Sequence, residues 1–211
     1  MNLQYEKNLN KKGYKNIVGL DEAGRGAWAG PIVAGCVYIP IDLKLSKEDK
    51  NLLNQIKDSK KLNYQSREKL YGFITHHFAY AVGEVSPVKI DKIGIGEANR
   101  LAFRKAIKNF NRKYDNKPDY LLVDYFGRLG INDIQVEGIK FGDDKVLSIA
   151  AASIVAKVYR DRLMLELAKK YTKYDFDKHK GYGTKLHRDN LEKYKPCPIH
   201  RKSYKPIQEL E

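Results

Sequence analysis

Asp21 and Glu22 stand side by side at the end of an apolar run and lead directly into Gly24-Arg25-Gly26. Adjacent carboxylates repel one another, and the commonest compensation is a hard divalent cation that takes carboxylate oxygens as ligands. Glycines without a Cβ let backbone groups approach a ligand closely, and successive N–H groups can form an anion-binding nest. Taken alone, the pattern equally describes a solvated acidic pair at a loop edge. Asp124 closes a second apolar run, and Asp143 stands in Gly142-Asp143-Asp144-Lys145 at the mouth of a third. Each alone is an ordinary strand-end or helix-start residue. If they converge, the four carboxylates suit two-metal phosphodiester hydrolysis, in which ions about 3.5–4 Å apart activate the attacking water and stabilise the leaving oxygen.

The charge balance points the same way. Forty Lys and Arg against 26 Asp and Glu leave a net charge of +14, and neutralising phosphates is the usual use of such a surplus because it releases condensed counterions. A lysine-rich composition without function is the alternative. Residues 178–205 hold nine Lys/Arg against two acids, so half of the surplus sits in a short C-terminal stretch. With 42% apolar and 11% aromatic residues the chain is no disordered basic tail, and 211 residues are enough for one core without staples. Cys36 and Cys197 fit neither a disulfide framework nor a zinc site. The N-terminus lacks the apolar run of a signal peptide and no membrane-spanning run occurs, so a cytoplasmic protein is expected.

These side chains need strands and helices to carry them. Residues 17–21 and 31–39 read as two strands joined by the Gly-rich loop, with 78–85, 119–124 and 134–139 as three more. Residues 47–57 and 64–77 read as helices, the second capped by Asn63. In 97–112, Ala98, Leu101, Ala102, Ala106 and Phe110 form one stripe, as in a helix covering a sheet. Residues 145–169 are apolar nearly all round at first, which suits a helix buried against that sheet. The only boundary is a weak one near residue 170, so 1–211 is expected to form one catalytic domain, with about 170–211 as a basic helical segment.

The stretches IVGLDEAGRGAWAGPIVAGCV (17–37), DSKKL (58–62), LLVD (121–124), GDDKVLSIAAASIVAKVYRDRL (142–163), HKGYGTKLH (179–187) and PIHRKSY (198–204) resemble bacterial type 2 ribonuclease H, the ribonuclease HII family. They occur in the family's order along most of the chain. Gly24-Arg25-Gly26 matches this branch, whereas the related ribonuclease HIII proteins carry Gly-Lys-Gly. The resemblance implies a ribonuclease H-like α/β fold: a central mixed sheet flanked by helices, with a small helical C-terminal part. It implies metal-dependent cleavage 5′ of ribonucleotides in RNA–DNA hybrids and in duplex DNA containing single ribonucleotides, leaving 3′-hydroxyl and 5′-phosphate ends.

On that resemblance, Asp21, Glu22, Asp124 and Asp143 are the catalytic metal ligands for Mg²⁺ or Mn²⁺, two ions when substrate is bound. Asp143 is preferred to Asp144 because the family motif is Gly-Asp-x-Lys. Gly24, Arg25, Gly26 and Tyr182 read the 2′-hydroxyl and the junction, a group that both donates and accepts hydrogen bonds. Lys60, Lys61, Arg160 and Lys180 position phosphates, which fix register and carry little sequence information. Asp161 supports the site. His179, His187 and His200 suit packing or phosphate contact better than zinc. Tyr125 and Trp28 depart from the family pattern by their bulk and are expected near the metal site, where they would reshape the groove. RNA–DNA hybrid and ribonucleotide-containing duplex are the expected partners. A monomer without a membrane or an obligate protein partner is expected, and binding to a sliding clamp is doubtful because the chain ends soon after the last motif. A junction-resolving nuclease of the same broad fold and a non-catalytic hybrid-binding protein remain open on the residues alone.

Overall fold

A computed structural model describes residues 3–56, 62–124 and 129–210. Lys60, Lys61 and Tyr125 lie outside the described residues. A short helix α1 (Gln4–Lys11) precedes strands β1 (Ile17–Ala23) and β2 (Ile32–Tyr38). Helices α2 (Lys47–Gln55) and α3 (Tyr64–His77), strand β3 (Ala79–Val85) and the long helix α4 (Pro87–Lys113) follow. Strands β4 (Tyr120–Asp124) and β5 (Gln135–Ile139) lead through the single turn α5 (Gly142–Lys145) into α6 (Leu147–Lys170). The C-terminal part holds a 3-10 turn (Thr172–Tyr174) and the helices α7 (Phe176–His179), α8 (Lys185–Tyr194) and α9 (Lys205–Gln208). No helix among the described residues is long and apolar enough to cross a membrane.

The sheet runs β3-β2-β1-β4-β5, antiparallel between β1, β2 and β3 and parallel from β1 through β4 to β5. This is the mixed sheet flanked by helices that the family resemblance implied. Its two faces follow from strand alternation. Val18, Leu20, Ala34, Cys36, Leu121 and Val123 pack against Ala98, Ala102, Phe103, Ala106 and Phe110 of α4. On the other face Val37 packs with Ala150, Ala151 and Ala152 of α6 and with Leu70 and Ile74 of α3, and Leu122 packs with Ile149. There α6 presses directly on the sheet. A Cβ on Gly19 would stand 2.2 Å from the Ser148 carbonyl carbon, and one on Gly35 would stand 2.3 Å from the Ala152 oxygen.

Two features escaped the sequence reading. Helix α4 starts ten residues earlier than the apolar stripe suggested. Its Ser86 hydroxyl accepts from Lys89 N–H, and the Gly94 backbone (φ 74°) kinks it, so no single periodicity covers both halves. The second is α1. Val146 has no capping side chain at the start of α6; instead the buried Glu6 carboxylate accepts from Ser148 N–H at 3.0 Å. A cap supplied from 142 residues away has no local signature. At the sheet's edge, β3 is shielded from pairing with another chain: Asn109 and Lys105 of α4 donate to the Val82 and Glu84 carbonyls.

Candidate active site

Asp21 and Glu22 are neighbours on β1 and therefore point to opposite sheet faces. Asp21 shares its face with Gly19 and thus with α6, and Glu22 shares its face with Val18 and Leu20 and thus with α4. Asp124 at the end of the parallel neighbour β4 has the parity of Leu122, on the α6 face. That is where the chain turns from β5 into α5 and presents Asp143. One carboxylate oxygen from each of Asp21, Asp124 and Asp143 lies within 4.8 Å of the others. Glu22 is outside this set of three. The tight turn rests on Phe141, which adopts left-handed backbone geometry (φ 57°). Gly142 N–H donates to Asp124 Oδ1 at 2.7 Å, holding the two arms of the cluster together. Asp143 is buried and Asp144 exposed, so the fold turns the first of the pair to the cluster.

Burial is the largest effect holding the Asp21 acid well above the usual carboxylate range, followed by the negative charges of Glu22 and Asp124. Glu22 N–H bonds to Asp21 Oδ1 at 2.7 Å and offsets only part of this. Burial likewise raises Glu22, while Arg25 and the amide of buried Asn99 on α4 pull it back. Three crowded, oxygen-only donors, two of them buried, with Asp21 held up by burial and by its neighbours' charges, fit a hard divalent cation.

Beside the acids a cleft of about 400 Å³ is lined by Glu22, Gly24, Arg25, Gly26, Lys157 and Tyr182, with Arg67 of α3 at its edge. Its Gly-rich wall is fixed from behind by two fully buried arginines. Arg160 donates to the carbonyls of Pro31, Ala29 and Lys180. Arg201 donates to Gly24 O at 2.7 Å, Arg25 O at 2.9 Å and Gly30 O at 3.0 Å. A trans peptide points its N–H opposite to its C=O. Holding the Gly24 and Arg25 oxygens on Arg201 therefore turns the N–H groups of Arg25 and Gly26 away from it. Gly24 has φ 88°, and a Cβ there would overlap Arg160 Nε.

The expectation that Arg160 meets phosphate is thus corrected. The residue is 0% exposed, burial pulls its guanidinium down to about 10, and its donors are spent on carbonyls. The Lys180 ammonium lies on the Asp177 carbonyl at the surface. Trp28 does not crowd the acids: its ring covers Gly183, where a Cβ would stand 2.2 Å from it, and lies 5.6 Å from the His187 ring. Asp161 is buried and pairs with Lys157 Nζ at 2.8 Å, which lies 5.2 Å from the centre of the Tyr182 ring. Lys157, Arg67, Asn99 and Arg201 were missed by the sequence reading. Lys157 carried a signal, standing one helical turn before Asp161; Arg201 lay inside a matched motif without an assigned role.

The three histidines are packed under the cleft wall, not arranged around a metal. His179 and His187 stack with ring centres 4.3 Å apart, and His187 Nε2 meets His200 Nε2 at 3.0 Å. Burial lowers His187 to about 3 and His200 to about 4.

A family model described as "Ribonuclease HII" matches residues 18–207. The chain is similar to the ribonuclease HII of Bacillus licheniformis, 46% identical over 98% of this chain and 76% of that protein. It is also similar to that of Dehalococcoides mccartyi, 44% identical over 97% and 93%. Among solved structures, ribonuclease H2 of Pyrococcus horikoshii superimposes with a TM-score of 0.72 at 27% identity, covering 93% of this chain and 97% of that one.

Proposed function

The chain belongs to the ribonuclease HII family, endonucleases that cleave RNA–DNA hybrids and ribonucleotides embedded in DNA, and we propose that its buried acidic cluster and Gly-rich cleft carry out that hydrolysis. The convergence of Asp21, Asp124 and Asp143 from three separate chain segments carries the reading. The three would hold a divalent ion, Mg²⁺ or Mn²⁺, with Glu22 serving a second ion when substrate phosphate arrives. Such ions activate the attacking water and stabilise the oxygen that leaves.

The chain's own residues bind and orient. Arg25 N–H and Gly26 N–H, turned away from Arg201, face the ribonucleotide and donate to its 2′-hydroxyl region, a contact that DNA lacks. Tyr182 borders the same cleft, and its ring packs on the sugar at the junction, where a deoxyribose on the 3′ side fits more closely than a second ribose. Lys157, steered by Asp161, and Arg67 take backbone phosphates along the cleft, a role in which they replace Arg160. Cleavage falls on the 5′ side of the ribonucleotide and leaves 3′-hydroxyl and 5′-phosphate ends. The acting unit is the single chain in the cytoplasm, with residues 170–211 part of the same catalytic unit. Trp28 N–H bonds to Gly181 O and Arg201 N–H to Trp28 O, in support of that unity.

The deciding experiment uses an end-labelled DNA duplex with one ribonucleotide, beside an all-DNA duplex and an RNA–DNA hybrid, with Mg²⁺, Mn²⁺ or chelator. A metal-dependent cut 5′ of the ribonucleotide that disappears in Asp124→Asn is the expected result. Full activity in that variant overturns the assignment of the acids.

A further inference from the structure

Tyr182 is a half-buried residue on a short connection between α7 and α8, without a strand or long helix to hold it. Its backbone is nevertheless bonded on both sides, and the partners are histidines. Tyr182 N–H donates to His179 O and Gly181 N–H to His179 Nδ1. Tyr182 O accepts from Thr184 N–H at 2.8 Å and faces His187 Nδ1 at 3.0 Å. Because a carbonyl can only accept, His187 must carry its proton on Nδ1. Its Nε2 is then an acceptor, so the Nε2 of His200, 3.0 Å away, must donate. That requires an unprotonated His200 Nδ1, and Cys197 N–H donates to it at 2.9 Å. One chain of hydrogen bonds therefore runs in a single direction, from Cys197 N–H through His200 and His187 to the Tyr182 carbonyl. Every ring proton in it is set by its neighbours. His187 and His200 are 0% and 2% exposed, so water cannot replace a missing member of the chain.

We propose that His187, with its proton fixed by His200, is a positioning residue for Tyr182 and sets how strongly the enzyme prefers a single ribonucleotide in DNA to a continuous RNA–DNA hybrid. The inference rests on the reading of Tyr182 given above. It follows from the length of the lever: the ring is carried by one peptide unit whose oxygen His187 holds, and displacement by about 1 Å is enough to spoil a close contact to a sugar. A core histidine that merely filled space would need neither a fixed tautomer nor a carbonyl of the cleft wall as its partner. Lys180, with its left-handed φ of 51°, and Gly181, with φ 81°, bend the chain so that the tyrosine carbonyl comes down on the ring.

The amide side chains separate the two ring nitrogens. Asparagine at 187 places an N–H where Nδ1 stands and keeps the bond to Tyr182 O; glutamine reaches the Nε2 position and loses that bond. The readout is the ratio of kcat/KM on a duplex with one ribonucleotide to that on the hybrid. His187→Gln is expected to lower the ratio about tenfold, the order associated with one lost hydrogen bond, and His187→Asn to keep it within about twofold. In a Tyr182→Ala background, which lowers the ratio by itself, His187→Gln is expected to lower it no further. The sole tryptophan, with its ring on Gly183, reports the same segment. Its emission should shift in His187→Gln and stay in place in His187→Asn. A Tyr182→Ala enzyme with an unchanged ratio overturns the reading of Tyr182 and this inference with it. A changed Tyr182→Ala ratio beside an unchanged His187→Gln ratio overturns this inference alone, as do equal losses in the asparagine and glutamine variants. Should His187→Gln fail to fold, His200→Asn keeps an acceptor for Cys197 N–H but releases the His187 tautomer. A drop of about threefold is expected there, and an unchanged ratio overturns the role of the chain.

Discussion

Replacing Arg201 with methionine removes a side chain that holds the Gly-rich loop from behind while keeping most of its volume. The consequences can be worked bond by bond. Gly30 O loses both of its guanidinium bonds, at 3.0 and 3.1 Å. Gly24 O keeps only the Ala27 N–H at 3.3 Å, and Arg25 O keeps the Tyr204 hydroxyl at 2.6 Å. One buried carbonyl is thus left bare at about 1–3 kcal/mol, and three bonds to a charged donor are lost beside it, to Gly24 O, Arg25 O and the Tyr204 hydroxyl. Against this stands relief from burying a guanidinium, whose affinity for its proton burial already lowers. The net loss is about 3 kcal/mol, or about 6–12 °C in Tm for a domain of this size. Function should suffer more than stability, because the Gly24 and Arg25 carbonyls are freed and the N–H groups of Arg25 and Gly26 lose their orientation. At a temperature well below the variant's Tm, kcat/KM on the single-ribonucleotide duplex should fall about 10–100-fold. Arg201→Lys, which keeps the charge but not the fork, should lie between the two. A methionine variant that melts with the wild type and cuts the duplex at the wild-type rate would refute the argument.

Further expectations follow from the acids, the sheet and the histidines. Asp21→Asn should abolish metal-dependent cleavage yet raise the Tm of the metal-free protein, since the folded acid is held above its ordinary range by burial and by its neighbours' charges; a lower metal-free Tm contradicts that electrostatic picture. Gly19→Ala should cost about 3 kcal/mol or more by urea denaturation, because its Cβ meets the backbone of α6 and not a side chain that can swing aside; near-wild-type stability would show that the helix can lift. His187 and His200 have folded values of about 3 and about 4, below the ordinary 6.5, so the unfolded chain binds more protons in between. Their contribution is complete above pH 6.5 and is lost as pH falls from there toward those values, while the raised Asp21 and Glu22 act in the opposite sense. His200→Asn should therefore flatten the slope of unfolding free energy between pH 6 and 5 by up to about 1.4 kcal/mol per pH unit, and parallel slopes would rule the histidine out as a source.

Much of the site was legible because its chemistry is local. Asp21 and Asp124 stand at or near the ends of strands whose apolar pattern is plain, Asp143 lies just ahead of the apolar helix α6, and the Gly-Arg-Gly turn follows β1 directly. What failed was the reading of single cations and rings. Arg160 and Lys157 lie three residues apart on α6, and nothing in their types says which is buried on carbonyls and which reaches the cleft. That depends on which face of α6 meets the Gly-rich loop. Trp28 was expected beside the acids through proximity in sequence, but the loop turns it onto Gly183, 155 residues further along.

The five strands, most of the longer helices, the acidic residues near their ends, the basic balance and the family could be read from the sequence. Periodicity, turn chemistry and composition are properties of short stretches. The three-dimensional fold brings three carboxylates and not four to one point, because strand alternation sends Glu22 to the other face of the sheet. It also decided that Glu6 caps α6, that Arg160 and Arg201 brace the loop from within, and that a chain of histidines ends on Tyr182. These are contacts between segments far apart along the chain, and whether a polar side chain is solvated or buried there depends on what the rest of the fold brings against it.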